Sequence, residues 1–411
     1  MKKKLWVLLL AAALLLSGCG REEVPEPTAP PLIEVEVPYE ETTVELKYAD
    51  TELTFRSLWT REDPCARVLT EAASIFEYQT GAAVTILWPE YAAPQEELPR
   101  ADLFQLSWAD FGAIPAEELL DLTELAENAG YADQSHETLR EQITQQCGYL
   151  GAIAQTPYLG GIYYCTDVFA SCGIQTIPAT WEEFLAVCEV LRAAGWQPLT
   201  MDRDDTLVAM ELHLRRSLGN EEMERLMGKK GHWNTDLPAI AALEQVRLFV
   251  QEGNMSTGSP ADYPAGQNKI ATSNSAMMIG TNADCADVEE AALTDLNWGI
   301  FPYPGSTGSG LYMTADVIAI SPDCENPQAA FDFLMLLVTG EFDQLRADLS
   351  EGIPADPRNA SPVAGAMEAL KTMKPEPLGY FGRKQLDTAV KLWSGWYRKA
   401  AQYASLLELS K

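Results

Sequence analysis

The stretch LTFRSLWTREDPCARVLTEAASIFEYQTGAAVTILW, residues 53–88, contains a complete β-α-β pattern. Leu53–Trp59 is typical of a strand, and Asp63 is suited to cap the following helix because its carboxylate accepts free backbone N–H groups. Apolar residues then recur at helical spacing until Gly81, and Ala82–Trp88 is typical of the next strand. Strands that alternate with helices predict an α/β fold with a mainly parallel sheet covered on both faces.

The same alternation continues along the chain. Asp102–Trp108 predicts a third strand. Thr180 and Glu183 form a capping box, the pattern in which two side chains satisfy the free groups at a helix start. Val317–Ile320 predicts a short buried strand, and Asn326 followed by proline predicts the start of another helix. The α/β organisation is therefore expected to extend through most of the chain.

Composition and charge narrow the classes of function. The chain has 411 residues, of which 47% are hydrophobic, which is globular composition with room for more than one domain. Asp and Glu number 60 and Lys and Arg 29, so the formal net charge is −31. Binding to DNA or RNA depends on clustered basic side chains, so nucleic acid is excluded as a partner. A body surface that lies on anionic lipid is equally disfavoured.

The N-terminus predicts export. Lys2–Lys4 precede the apolar run Leu5–Leu16, which is shorter than the roughly 20 residues of a membrane span and is typical of a signal peptide. The sequence LSGC that ends at Cys19 resembles the lipobox of bacterial lipoproteins. This resemblance implies a signal peptide of residues 1–18, acyl chains anchored through Cys19, and localisation at the extracytoplasmic face of the cell membrane. An ordinary secretory signal with an accidental cysteine is the alternative.

Residues 19–48 are rich in Glu and Pro and poor in aromatic and basic residues. Like charges repel and proline stiffens the backbone, so this segment is expected to be an extended tether. The body would then stay near the membrane and contact it only through the lipid anchor.

The cysteines of the exported body suggest no redox or metal chemistry. Seven remain: Cys65, Cys147, Cys165, Cys172, Cys188, Cys285 and Cys324. An odd number cannot pair completely, and a chain of this size does not need disulfides to form a core. We therefore expect no essential disulfide. No spacing is of the zinc type, so neither a metal site nor a cofactor is predicted.

Four segments, taken in order, resemble the extracellular solute-binding proteins of ABC importers, specifically the carbohydrate-binding, maltose-binding-protein-like family. They are Gly161–Phe169, Pro178–Phe184, Asn297–Gly305 and Val317–Phe331. Each match alone is weak, but their order and spacing behind a lipobox make the resemblance strong. Two departures stand out: Cys165 replaces the usual Asn, and Thr281-Asn282 replaces a step that often carries Trp. The second departure removes the usual aromatic contact of the second lobe.

The resemblance implies two α/β lobes joined by crossing hinge strands, with the solute bound between them. Lobe 1 would comprise residues 49–161 plus 314–350, and lobe 2 residues 162–313. The helices of residues 351–411 would brace the lobes.

Binding residues are expected at the carboxyl ends of the strands, where open α/β sheets bind ligands. In strand order 2-1-3 the crevice favours Trp59 and Trp108 over Trp88. A tryptophan ring suits the apolar C–H face of a sugar, and Asp110 and Thr60 can bond its hydroxyl groups. Packing of these tryptophans in the core is the alternative.

Three further residues are candidates at the hinge and in the second lobe. Tyr158 would lie at the first hinge strand, Tyr312 at the second, and Asn282 in lobe 2; a structural role for each is an equal alternative. We expect Trp298 to be core. Trp393 and Trp396 are expected to pack the brace rather than line the cleft.

The predicted function is a lipid-anchored receptor that captures a mono- or oligosaccharide and delivers it to the permease subunits of an ABC importer. The resemblance implies a monomer without catalytic residues. A cell-surface glycoside hydrolase is one alternative, although no carboxylate pair can be singled out among the 60 acidic residues. A carbohydrate-binding adhesin or sensor on the same fold is the other.

Overall fold

The computed structural model describes residues 46–89, 101–255, 275–285, 297–350, 352–361, 369–370, 374–376 and 378–411. The predicted signal peptide, Cys19 and almost all of the predicted tether lie outside these residues. Within them, no helix combines the length and apolar character needed to cross a membrane.

Strands and helices alternate over the first half of the chain, as predicted. The strands are β1 (Glu52–Arg56), β2 (Ala83–Leu87), β3 (Leu103–Leu106), β4 (Ile153–Cys165), β5 (Gln197–Thr200), β6 (Ser275–Thr281), β7 (Trp298–Phe301) and β8 (Tyr312–Ile320). The helices are α1 (Ala66–Thr80), α2 (Trp108–Phe111), α3 (Thr123–Asn128), α4 (Glu137–Cys147), α5 (Thr166–Ser171), α6 (Trp181–Ala193), α7 (Asp205–Leu218), α8 (Asn220–Met227), α9 (Leu237–Gln251), α10 (Pro327–Val338), α11 (Gly340–Leu349), α12 (Arg383–Trp393) and α13 (Ala400–Leu409).

The strands form one sheet in the order β2-β1-β3-β8-β4-β6-β5, with β7 also paired to β4. The first three strands have the predicted 2-1-3 order and are parallel. The sheet as a whole is mixed, because β8 runs antiparallel to its neighbours β3 and β4, and β4 runs antiparallel to β6 and β7. The prediction of a mainly parallel sheet is therefore wrong at its centre, where two long strands run in opposite directions.

Two hydrophobic cores lie along this sheet. The first is built on β1, β3 and the helices around them, and it includes Leu159 of β4 and Met313 of β8. The second is built on β5, β6 and α6 to α9, and it includes Ile162 of β4 and Tyr312 of β8. Both long strands therefore pass from one core to the other, and on β4 the change falls at the pair Gly160-Gly161.

Two of the helix ends follow the local signals predicted from sequence. Thr180 forms the predicted capping box with Glu183, and Gly81 ends α1 with a φ of 85°. The start of α1 differs from the prediction: Cys65 is the N-cap residue, and Asp63 instead accepts a hydrogen bond from the Cys65 N–H at 2.8 Å. Strand β8 is also longer than predicted, since it begins at Tyr312.

The C-terminal segment contributes to both cores. Ile353 and Ala355 belong to the first core, whereas α12 and α13 pack in the second. Trp393 is 1% exposed there, as expected, but Trp396 is 68% exposed. The expected packing of Trp396 is wrong, because the residue lies in the turn beyond α12. Trp298 is half-buried against a small cluster around Tyr163, so its assignment to the core is only partly correct.

Candidate functional site

The carboxyl ends of β1 and β3 bring Trp59 and Trp108 to neighbouring positions. Strand β1 ends at Arg56 and β3 at Leu106, so both tryptophans lie just beyond their strands instead of within them. Each is half-buried and packs against the first core. Trp88 lies beyond β2, on the outer side of β1, with the Arg61 guanidinium 5.4 Å from its ring centre. The sheet therefore places the two tryptophans that the crevice rule favours beyond the carboxyl ends of adjacent parallel strands.

A buried polar network holds the Trp59 loop in place. Gln105 accepts hydrogen bonds at Oε1 from the Ser57 hydroxyl and the Leu58 N–H, both at 2.8 Å. The Ser57 hydroxyl in turn accepts from the Trp59 N–H at 2.9 Å. Gln105 also donates to Gln155 of β4. Because buried groups with satisfied partners are rigid, this network fixes the loop that carries Trp59. Thr60, which follows, is half-buried in the same loop.

Trp108 is the first residue of α2, and Asp110 stabilises the start of that helix. The Ser107 hydroxyl accepts a hydrogen bond from the Asp110 N–H at 3.1 Å and donates to Asp110 Oδ2 at 2.7 Å. One carboxylate oxygen of Asp110 is thus engaged with its own helix cap. Burial lowers the pKa of the Arg56 guanidinium, and the nearby charge of the Asp110 carboxylate partly opposes this shift.

Tyr158 and Asp316 form a half-buried pair beside Asp110. The Tyr158 hydroxyl donates to Asp316 Oδ2 at 2.8 Å, between strands β4 and β8. Burial raises the pKa of the Asp316 carboxyl to about 6, and the nearby charge of Asp110 adds to this effect. Arg346, fully buried in an ion pair with Asp343, acts in the opposite direction. Sequence analysis missed Asp316, although a single acid within the apolar strand YMTADVIAI is a recognisable departure from the pattern.

The second core has its own polar cluster, which sequence analysis also missed. Asp202 follows β5, Asp205 begins α7, and Asp284 lies just beyond β6. One carboxylate oxygen from each of these three residues lies within 4.8 Å of the other two. Because β5 and β6 are parallel neighbours, their carboxyl ends bring together acids that are far apart in sequence. The cluster could have been recognised in the sequence from acidic residues that directly follow a buried strand.

Burial makes ionisation of this aspartate cluster unfavourable. Burial raises the pKa of Asp205 well above its usual range, and the charges of Asp284 and Asp202 raise it further. Burial also raises the pKa of Asp284, against hydrogen bonds from the Thr281 N–H and hydroxyl that lower it. The three residues line a small cavity of about 10 Å³ together with Thr200, Met201, Met278 and Ile279.

Asn282 and Tyr312 lie near the aspartate cluster and are both buried. Asn282 Oδ1 accepts a hydrogen bond from the Leu159 N–H at 2.8 Å, so it ties the end of β6 to β4. The ring of Tyr312 lies across Gly160, where a Cβ would be 1.9 Å from its Cζ. The structure thus divides the predicted site residues into two groups, Trp59, Thr60, Trp108, Asp110 and Tyr158 on the first core and Asn282 and Tyr312 on the second.

The sequence profile of a family described as bacterial extracellular solute-binding protein matches residues 76–372. The chain belongs to this family. Among the curated proteins, none is significantly similar in sequence. The resemblance to the solute-binding proteins of ABC importers is therefore confirmed at the level of the family.

Solved structures confirm the two-lobed fold of this solute-binding protein. A chitin oligosaccharide binding protein is 17% identical, with a TM-score of 0.67, and the match covers 88% of this chain and 98% of that one. A sugar transporter of Bacillus licheniformis in complex with stachyose is 16% identical, with a TM-score of 0.63 and coverage of 87% and 98%. The solute-binding protein RafE in complex with raffinose is 15% identical, with a TM-score of 0.66 and coverage of 87% and 98%.

Proposed function

We propose that the protein is the receptor of an ABC importer and that it captures a carbohydrate between its two lobes. The paired tryptophans beyond β1 and β3 carry this proposal. Trp59 and Trp108 offer broad aromatic surface beside the hydrogen-bonding groups of Asp110 and Tyr158, the combination that sugar rings require. Chitin oligosaccharide, stachyose and raffinose are the ligands named for structures of the same fold, which supports an oligosaccharide as the solute.

Closure would bring the two groups of site residues together. We propose lobes of residues 49–161 plus 314–350 and of residues 162–313, which rotate about the points where β4 and β8 change core. Hinges of this kind need only a few residues that absorb the change in backbone angles. The Gly160-Gly161 pair on β4 fits that role. Asn282 and Tyr312, which are buried beside this pair, would then hold the lobe 2 side of the cleft in position from behind.

The site assignment is tested by replacing one tryptophan and a matched control. Trp108→Ala should weaken binding of the best oligosaccharide at least about tenfold, because a stacking aromatic anchor is lost. Trp396→Ala makes the same chemical change at a 68% exposed position and should leave affinity unchanged. Isothermal titration gives the affinities, and circular dichroism verifies the fold. Equal affinities of Trp108→Ala and the wild type would contradict the site.

We infer that the protein binds its sugar without cleaving it, and its membership of a family described as solute-binding proteins supports this. A glycoside hydrolase would need a carboxylic acid with a raised pKa near a second carboxylate, and Asp316 beside Asp110 is the arrangement that would favour one. Incubation with an oligosaccharide panel, followed by chromatography, should return the sugars intact. Cleavage products that form with the wild type but not with Asp316→Asn would identify the protein as a hydrolase instead.

We further propose that Cys19 carries the lipid anchor and that residues 19–48 hold the receptor off the membrane. The charge and proline content of that segment support an extended tether. In this position a monomeric receptor can present the closed, loaded form to the permease subunits.

A further inference from the structure

We propose that Asp202, Asp205 and Asp284 form a binding site for a calcium ion in the second core. The site lies where β5 and β6 end and α7 begins. It is separate from the tryptophans that carry the proposed sugar site, and it stands whether or not the solute is a sugar.

The distances among the carboxylates fit calcium. Calcium binds oxygen ligands at about 2.3–2.6 Å, so two ligands on opposite sides of the ion lie about 4.6–5.2 Å apart. One oxygen from each of the three aspartates lies within 4.8 Å of the other two, so a single ion can reach all three. Magnesium is usually bound through one or two carboxylates together with water or substrate phosphates, so a cluster of three carboxylates favours calcium.

The space between the carboxylates is about the size of one water molecule or one monatomic ion. The cavity that they line has a volume of about 10 Å³, which is close to the lower limit of roughly 10–15 Å³ for a single water molecule. That volume admits a single ion. Calcium needs six to eight oxygens, so water molecules and further protein oxygens would have to supplement the three carboxylates.

Tyr312 gives an independent indication that something occupies the cluster. Its side chain is 1% exposed, and among the described residues its hydroxyl has no hydrogen-bond partner. A buried phenol normally has one, because leaving it unsatisfied costs free energy. The Tyr312 ring lies across Gly160, which pairs with Thr281, and the Thr281 hydroxyl donates to Asp284 at 2.9 Å. The ring therefore points from β8 towards the aspartate cluster.

The charges around Tyr312 agree with this direction. Burial is the largest cause that raises the pKa of Tyr312. The charges of Asp205 and Asp284 are the next largest causes, so both carboxylates lie near the Tyr312 hydroxyl. A water molecule bound to the calcium ion would donate a hydrogen bond to the Tyr312 oxygen and satisfy it.

The first test is thermal unfolding of the mature protein after EDTA treatment. Saturating calcium chloride should raise the melting temperature by about 3–6 °C, because a ligand that binds only the folded state stabilises it. Magnesium chloride at the same concentration should raise it much less. Terbium, which has similar ligand preferences, should bind and show luminescence sensitised by the nearby Tyr312.

Two variants and a control locate the site. Asp205→Asn should abolish the calcium shift, and Tyr312→Phe should weaken calcium binding about tenfold, as removal of an outer-sphere partner does elsewhere. Asp204→Asn is the matched control: this neighbour has a side chain that is 79% exposed, and its removal should leave calcium binding unchanged. If Asp205→Asn fails to fold, Tyr312→Phe, which keeps the ring, provides the test.

Three results would overturn the calcium site: no shift and no terbium luminescence in the wild type, equal losses in the Asp204 and Asp205 variants, or a magnesium effect as large as that of calcium. Titration with sugar in the presence of EDTA tests the proposed function independently of the calcium site. Sugar binding without any calcium effect would dismiss the ion and leave the receptor intact.

Discussion

Gly160 provides a quantitative test of how the two cores join. A Cβ at this position would lie 1.9 Å from Cζ and 2.2 Å from Cε1 of Tyr312. Tyr312 is 1% exposed, so its ring cannot move aside without opening the second core. Overpacking of a well-packed core usually costs about 1–3 kcal/mol, and contacts this short belong at the upper end. Gly160→Ala should therefore lower the free energy of unfolding by about 3 kcal/mol.

Urea unfolding, followed by tryptophan fluorescence, measures this cost. Gly112→Ala is a suitable control, because Gly112 is exposed and has a φ of −63°. A Cβ at this position would lie 3.4 Å from its nearest neighbour, the backbone oxygen of Trp108. The control should change the free energy of unfolding by less than about 0.5 kcal/mol.

A double-mutant cycle isolates the clash. In the Tyr312→Ala background the ring is gone, so Gly160→Ala should cost less than about 1 kcal/mol. An unchanged cost in that background would refute the steric reasoning, as would a cost below about 1 kcal/mol in the wild type.

Three further predictions concern other parts of the molecule. Thr180→Ala removes the side-chain cap of α6 and should lower the free energy of unfolding by about 1 kcal/mol in urea unfolding; no change would contradict the role of the cap. The pKa of Asp316 is higher in the folded protein than in the unfolded chain, so the folded state binds more protons and stability from this group falls as pH rises from about 4 to 6. Asp316→Asn should remove that fall and stabilise the protein at pH 7 by about 2 kcal/mol; an identical pH profile in wild type and variant would contradict it. Cys19→Ala should release the protein from the membrane fraction into the soluble fraction on immunoblots, and retention would exclude the anchor.

The elements predicted from sequence were those with local causes. The capping box at Thr180 and the glycine end of α1 follow from short patterns of residues, whereas the order of β2, β1 and β3 is the common order for such a start of an α/β sheet. The direction of β8 could not be predicted in this way, because the sequence of a buried strand looks the same whether the strand runs parallel or antiparallel to its neighbours. Its start was missed since Tyr312 precedes the apolar core of the strand.

The site was predicted only in part, for a similar reason. The positions of Trp59 and Trp108 were predicted because each follows its own strand, and their contact with a solute stays a prediction. Asp316 and the aspartate cluster were missed, because their character depends on burial and on partners from distant strands. With 60 acidic residues in the chain, spacing alone cannot distinguish a buried aspartate from an exposed one.

The most direct test of the central claim is calorimetric titration of the mature protein with an oligosaccharide panel that includes raffinose, stachyose and chitin oligosaccharides. A receptor should bind at least one of these in a one-to-one complex with micromolar or tighter affinity, and binding should change its tryptophan fluorescence. No binding to any member of the panel, or binding without a fluorescence change, would contradict a sugar site built on Trp59 and Trp108.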